Sequence, residues 1–228
     1  MRGHQKQRGL LIAFEGPDGS GKSTQRKLFK MWLKSEGHYV ASTKWNSSPT
    51  VKPIIKMRKE ERSLDPVDFC LLHAADYRWR MTYEVLPALE RGALVIADRH
   101  VFTALARDTS RGLDPQRVLR AYEPVIWPDL VFYFSVSPEV SLQRIAATRA
   151  PKYYEAGQDV TGIADPYESY RQFMTRVIGE YKAMAEIFGF VTVDAEQSLY
   201  QQHRLIRRLF LERLPNLQSL PEAIPVAA

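Results

Sequence analysis

Two patterns of apolar and polar positions alternate along this chain of 228 residues. Short uninterrupted apolar runs, GLLIAFEG at 9–16, ALVIAD at 93–98, DLVFYFSV at 129–136 and GFVTVDA at 189–195, read as strands buried on both faces. HYVASTKW at 38–45 reads as one more strand. The segments between them are helical in period. A helix over 21–36 carries Leu28, Phe29, Trp32 and Leu33 on its inner side. A long helical pattern over 65–91 opens at Asp65-Pro66 and closes near Gly92. Further helices are predicted over 138–148, 165–188 and 197–214. Strands alternating with helices imply right-handed crossovers and a parallel sheet covered on both faces. The expected architecture is therefore α/β in three layers, with five parallel strands. In such sheets ligands lie beyond the carboxyl ends of the strands. Residues 16–23, 44–46 and 98–100 would all stand there.

Composition narrows the class. An apolar share of 45% and a charged share of 25% are those of a soluble globular chain, and the length suits one sizeable domain, 9–214. A basic tail, 1–8, precedes it and a proline-rich tail, 215–228, follows it. No secretory signal and no run of about 20 apolar residues is found, so a membrane partner is not expected. The one cysteine, Cys70, suits a reducing, cytoplasmic setting and reads as core. A net charge of +6 favours an anionic ligand. The basic residues are spread out, with no lysine-rich tail or aromatic–basic repeat, and nucleic acid is not expected as a partner. Trp32, Trp79 and Trp127 read as packing residues, and Trp45 as either packing or ligand contact.

The candidate chemistry begins at FEGPDGSGKST, 14–24, which contains Gly16-x-x-x-x-Gly21-Lys22-Ser23 between an apolar strand and an amphipathic helix. Backbone N–H groups of such a loop, with the helix N-terminus, form a cradle for phosphate. Gly16, Gly19 and Gly21 let the backbone approach the oxygens. Lys22 supplies a point charge for the β and γ oxygens of a triphosphate, and the Ser23 hydroxyl is a magnesium ligand. Ser20 and Thr24 complete the expected phosphate-binding set. Asp98, ending a buried strand, can face the same metal. Arg99 would aim a bidentate fork at a second phosphate.

FEGPDGSGKSTQ, AAD…LPALERGALVIADRH and PDLVFYFSVSPEVSLQRIAATR together resemble thymidylate kinases over about residues 10–209. The resemblance implies a P-loop kinase fold with a short lid, about 149–165, ATP as phosphoryl donor with Mg2+, and a nucleoside monophosphate acceptor, dTMP above others. It also implies a homodimer. Asp18 then matches an aspartate near the acceptor sugar and the metal, and Arg99 the arginine that holds the acceptor phosphate. Arg144 and Arg149 match arginines that begin the lid over ATP. Asp165, Tyr167 and Glu168 match the lid's end, with Tyr167 on the acceptor side. Because position 20 is Ser, the family's catalytic positive charge would come from the lid, from Arg149 and Lys152.

The expected base-reading positions depart from that pattern. The family's stacking phenylalanine is His73 here, and its base-binding arginine is Tyr77. His100 replaces the tyrosine of the Asp-Arg-Tyr motif, Ala104 and Arg107 replace nucleoside contacts, and Lys44-Trp45-Asn46 replaces Arg-Glu-Pro. His73, Asp76, Tyr77 and Arg80 fall on one helical stripe. With Lys44, Trp45, Arg99 and Arg107 they form the expected acceptor side. Two other readings stay open: a related P-loop phosphotransferase acting on another nucleotide or on polyphosphate, and a non-enzymatic nucleotide-binding protein.

Overall fold

The computed structural model describes residues 8–217, so the expected tails lie almost entirely outside the described residues. Alternate residues of β1 (Leu10–Glu15) serve two different cores: Leu10, Ile12 and Phe14 belong to one, Leu11 and Ala13 to the other. A strand does this only in the middle of a sheet covered on both faces. The sheet contains β2 (Val40–Lys44), β3 (Leu94–Asp98), β4 (Leu130–Ser135) and β5 (Val191–Asp194) as well. Their order is β2-β3-β1-β4-β5, and every pairing is parallel. The five strands, their direction and the three-layer α/β arrangement are as the sequence predicts.

The helices are α1 (Lys22–Ser35), α2 (Lys52–Glu60), α3 (Pro66–Arg80), α4 (Leu86–Glu90), α5 (Val101–Thr109), α6 (Pro115–Tyr122), α7 (Pro138–Ala146), α8 (Tyr153–Ala156), α9 (Gln158–Thr161), α10 (Pro166–Ile187) and α11 (Leu199–Leu217). On one face Phe29 of α1 and Phe210 of α11 close over Phe14 and Phe132, with ring centroids 5.2–5.9 Å apart around Phe29. Truncating Phe29 to Ala would cost about 3–5 kcal/mol through lost burial and an unfilled cavity. On the other face α3, α5 and α10 contribute Tyr77, Phe102 and Tyr181.

Two departures from the sequence reading have local causes. The pattern over 65–91 is not one helix: a π-helical turn, Met81–Val85, separates α3 from α4. Pro87 has no N–H to give to the preceding turn, so the backbone rearranges there. Within the expected lid, 149–165, where the sequence reading placed no helix, stand the short helices α8 and α9. The predicted starts at Asp65-Pro66, Pro138 and Asp165 hold. Asp65 accepts the N–H of Asp68, Ser137 that of Val140, and Asp165 those of Tyr167 and Glu168.

Candidate active site

The carboxyl end of β1 runs into the glycine-rich loop, and the register sets Phe14 of β1 and Lys44 of β2 against Asp98 of β3. The three polar clusters foreseen in the sequence therefore do meet at one sheet edge. Two loop glycines are obligatory. Gly16 has φ +135°, and a Cβ there would lie 2.7 Å from the Phe134 carbonyl oxygen. Gly19 has φ +75°, and a Cβ would come 2.5 Å from the Ser141 carbonyl oxygen. Gly21, also left-handed, precedes the first turn of α1. Lys22 turns back into the loop and donates to the Pro17 carbonyl at 3.1 Å. Burial, reinforced by Arg99, pulls its ammonium down to about 8. Ser23 and Thr24 are exposed at the helix start, whereas Ser20 is fully buried beneath the loop. Arg144 of α7 donates to the carbonyls of Gly19 (3.2 Å) and Ala195 (2.9 Å), which sets a guanidinium beside the loop.

Arg99 is held more firmly than its sequence position suggests. Its backbone is left-handed, φ +71°, a conformation costly for a residue with a Cβ. Its guanidinium donates to the Gly16 carbonyl at 2.8 Å, to Thr103 Oγ1 at 3.3 Å and to the Asp18 carboxylate. Arg107 reaches the other oxygen of Asp18 at 3.2 Å. Desolvation opposes the Asp18 charge, yet Arg99, Lys22 and Arg107 hold its carboxyl well below the usual range. Behind them lies Glu15, fully buried, accepting from the His100 N–H, Thr103 Oγ1 and Tyr181 Oη at 2.6, 2.6 and 2.9 Å. Burial raises its pKa. Through Thr103 this network braces Arg99. Sequence reading missed Glu15, although an acidic residue closing an apolar run was the available signal.

A cleft of about 700 Å³ opens beside Asp18, Arg99 and Arg107. Of the residues singled out in the sequence, Trp45, His73, Arg149 and Lys152 line it as well. Trp45 stacks on His73, centroids 5.7 Å apart at 16°, and so serves both packing and the cleft. Lys52, Lys56 and Lys59 of α2, together with Phe69, line the cleft but were not foreseen. Their spacing of four and three residues sets them on one side of a helix in which Ile55 alone is buried. Arg149 is paired with Glu155 of α8 at 2.6 Å, and Arg111 anchors α9 and α8 through Asp159 (2.8 Å) and the Tyr154 carbonyl (2.7 Å).

Several expected acceptor residues stand elsewhere. Tyr77 is fully buried in the core, where its hydroxyl accepts the Ile126 N–H at 3.1 Å. Arg80 is fully buried too, paired with Asp76 at 3.0 Å. Asp76 in turn accepts the N–H groups of Asn46, Ser47 and Ser48 at 2.8–2.9 Å. The stripe thus faces inward, and of its members His73 lines the cleft. Lys44 is exposed at the end of β2, and Tyr167 is exposed in the first turn of α10; neither lines the cleft. The two proposed metal ligands are Ser23, exposed and in the first turn of α1, and Asp98, which lies 3.4 Å from Arg26. Both offer hard oxygen donors at the phosphate loop, a set that fits magnesium shared with substrate phosphates.

A five-stranded parallel sheet whose central strand ends in a glycine-rich phosphate loop, with a cleft beside it, is the architecture of a P-loop kinase. The particular branch follows from comparison, and the chain belongs to the thymidylate kinase family: the family model described as Thymidylate kinase matches residues 14–206. A protein of Saccharolobus solfataricus named probable thymidylate kinase 2 is 41% identical over 211 residues, covering 92% of this chain and 99% of that one. The thymidylate kinase of Halothermothrix orenii is 34% identical over 87% of this chain and 95% of its own. A probable thymidylate kinase of Pyrococcus horikoshii is 31% identical over 92% and 100%.

Proposed function

We propose that this chain transfers the γ-phosphoryl group of ATP to the phosphate of a nucleoside monophosphate, with dTMP as acceptor and dTDP as product. The observation that carries this reading is the arrangement of Lys22, Asp18 and Arg99, which sets a phosphate cradle and a braced guanidinium on either side of one carboxylate. The acceptor phosphate is already ionised, so no strong base is needed. Positioning and neutralisation of spreading negative charge do the work. Lys22 would meet the β and γ oxygens, and Arg99 would present its fork to the acceptor phosphate. Asp18 keeps Arg99 and Arg107 aimed. Ser23 and Asp98 would hold Mg2+, which supplies charge neutralisation at the phosphates when bound. Arg149 and Lys152 bring further positive charge from the lid, whose closure would exclude water.

The reading extends to a homodimer, supported by the exposed apolar residues Leu71, Tyr83 and Leu86 along α3, the π turn and α4. Sedimentation of a monomer at working concentration would refute that part. Among the described residues no helix is long and apolar enough to cross a membrane. The test of the whole is ADP release with ATP and magnesium against dTMP, dUMP, UMP, CMP, AMP, GMP and polyphosphate. Selective turnover of dTMP supports the reading, and turnover of polyphosphate in place of nucleotides overturns it.

A further inference from the structure

The helix α3 offers no guanidinium to the acceptor cleft, because Arg80 is committed to Asp76 and Arg78 does not line it. A side chain from a different element stands over the ring wall instead. Lys59 of α2 lies with its Nζ 4.7 Å from the centre of the Phe69 ring and 3.2 Å from Nε2 of His73. Both Lys59 and His73 line the cleft, as do Phe69 and Trp45.

The hydrogen-bond pattern decides which of the two can donate to a ligand. His73 Nδ1 is 2.7 Å from the Phe69 carbonyl oxygen, which can only accept, so the ring proton is on Nδ1. Nε2 is then a lone pair, and it accepts from Lys59. Burial first, then the charge of Lys59, holds the imidazole pKa well below its usual value, so a second ring proton is not supplied. Lys59 spends one N–H on His73 and has no other hydrogen-bond partner among the described residues. Its remaining N–H groups are free to donate into the cleft. Burial, with Arg107 and Arg111 nearby, lowers the ammonium to about 7, so below that pH the group is charged and only donates, whereas above it the neutral amine also carries a lone pair.

We propose that Lys59, seated on His73, reads the edge of the acceptor base and selects pyrimidines that carry a carbonyl, not an amino group, at C4. This rests on the reading of the cleft as a nucleoside monophosphate site. With Arg99 holding the phosphate beside the loop, the adjoining rings of Trp45, His73 and Phe69 form the aromatic wall beside which a base can lie. The Lys59 ammonium, standing over the Phe69 ring, donates to a C4 carbonyl of such a base and meets a C4 amino group donor to donor.

The test uses Lys59→Met and Lys59→Arg in the full chain at a pH about one unit below 7, where Lys59 is charged, with dTMP, dUMP and dCMP as acceptors and ATP with magnesium as donor. Thermal melting and ATP affinity of each variant establish that it folds. The expected result is that Lys59→Met lowers the kcat/KM ratio of dTMP to dCMP by about 10- to 100-fold, the range of one hydrogen bond from a charged donor. The loss should lie mainly in KM for the two C4-carbonyl acceptors, and Lys59→Arg should restore part of it. An equal rise in KM for all three acceptors would mean contact with the shared phosphate or sugar, and would overturn the proposal. So would an unchanged ratio in a wild type that uses dTMP, with the function above left intact. A wild type that turns over none of the three overturns both.

Discussion

Asp76 and Arg80 form a fully buried pair, but their partners are unequal, and that inequality predicts how each should fail. Asp76 accepts three backbone N–H groups besides the arginine, and these fix the chain from Asn46 to Ser48, just after Trp45. Arg80 has Asp76 as its hydrogen-bonding partner, and its two terminal nitrogens find none among the described residues. Its guanidinium also lies 5.2 Å from the Trp45 ring centre. Asp76→Ala would strand a buried cation and three N–H groups, a loss of about 4–5 kcal/mol by the cost of breaking a buried pair. For a chain of this size that lowers Tm by about 8–20 °C. Arg80→Met removes the cation, fills much of its volume, and leaves Asp76 with three donors, so about 1–3 kcal/mol is expected. Urea denaturation of both variants and of the double variant measures the difference, and acceptor KM is measured beside it. Asp76→Ala should raise that KM by loosening the Trp45–Asn46 wall, whereas Arg80→Met should leave it within about threefold. Arg80→Met proving the more destabilising change, or raising acceptor KM about 100-fold in a stable protein, would refute the structural role assigned here.

Other expectations follow from the same geometry. Lys22→Ala should lower kcat by about 10³-fold with the fold retained, checked by steady-state kinetics and circular dichroism. Arg99→Ala should both lower kcat and raise the acceptor's KM, because its fork meets the group that reacts; unchanged kinetics would remove it from the acceptor site. The Arg149→Ala, Lys152→Ala double variant should lose at least about tenfold in kcat, and a retained rate would dismiss the lid as the source of catalytic charge. Lys59 titrates near 7 when folded and near 10.5 otherwise, so between those values the unfolded chain binds the extra proton and wild-type stability rises with pH. Lys59→Met lacks that rise. Denaturation at pH 7 and pH 9 should therefore show the variant gaining on wild type as pH falls, and a pH-independent difference would contradict it.

Beyond the five-stranded parallel sheet, what could be read from the sequence was local. The phosphate loop announces itself because its glycines, lysine and serine act through backbone geometry fixed within eight residues. Helix starts were legible for the same reason. Asp114-Pro115 carries the same signal as Asp65-Pro66, and Asp114 indeed accepts the Arg117 N–H at 2.9 Å, although α6 was not foreseen. The stripe of His73, Asp76, Tyr77 and Arg80 was correctly placed on one helix face. Its partners, however, are residues 46–48 and Ile126, and no periodicity reveals which way a polar face turns when its counterpart lies 28–49 positions away. Polar groups facing inward to brace a loop and polar groups facing a ligand have the same spacing. The lysines of α2 were obscured differently: a helix with one buried residue has almost no apolar period to detect.

The most direct measurement of the central claim is the fate of the γ-phosphate of labelled ATP. With wild-type protein, magnesium and dTMP, the label should appear in dTDP, one for each ADP formed, and should fail to transfer with Lys22→Ala. Label released as inorganic phosphate at the same rate with or without dTMP would contradict the account.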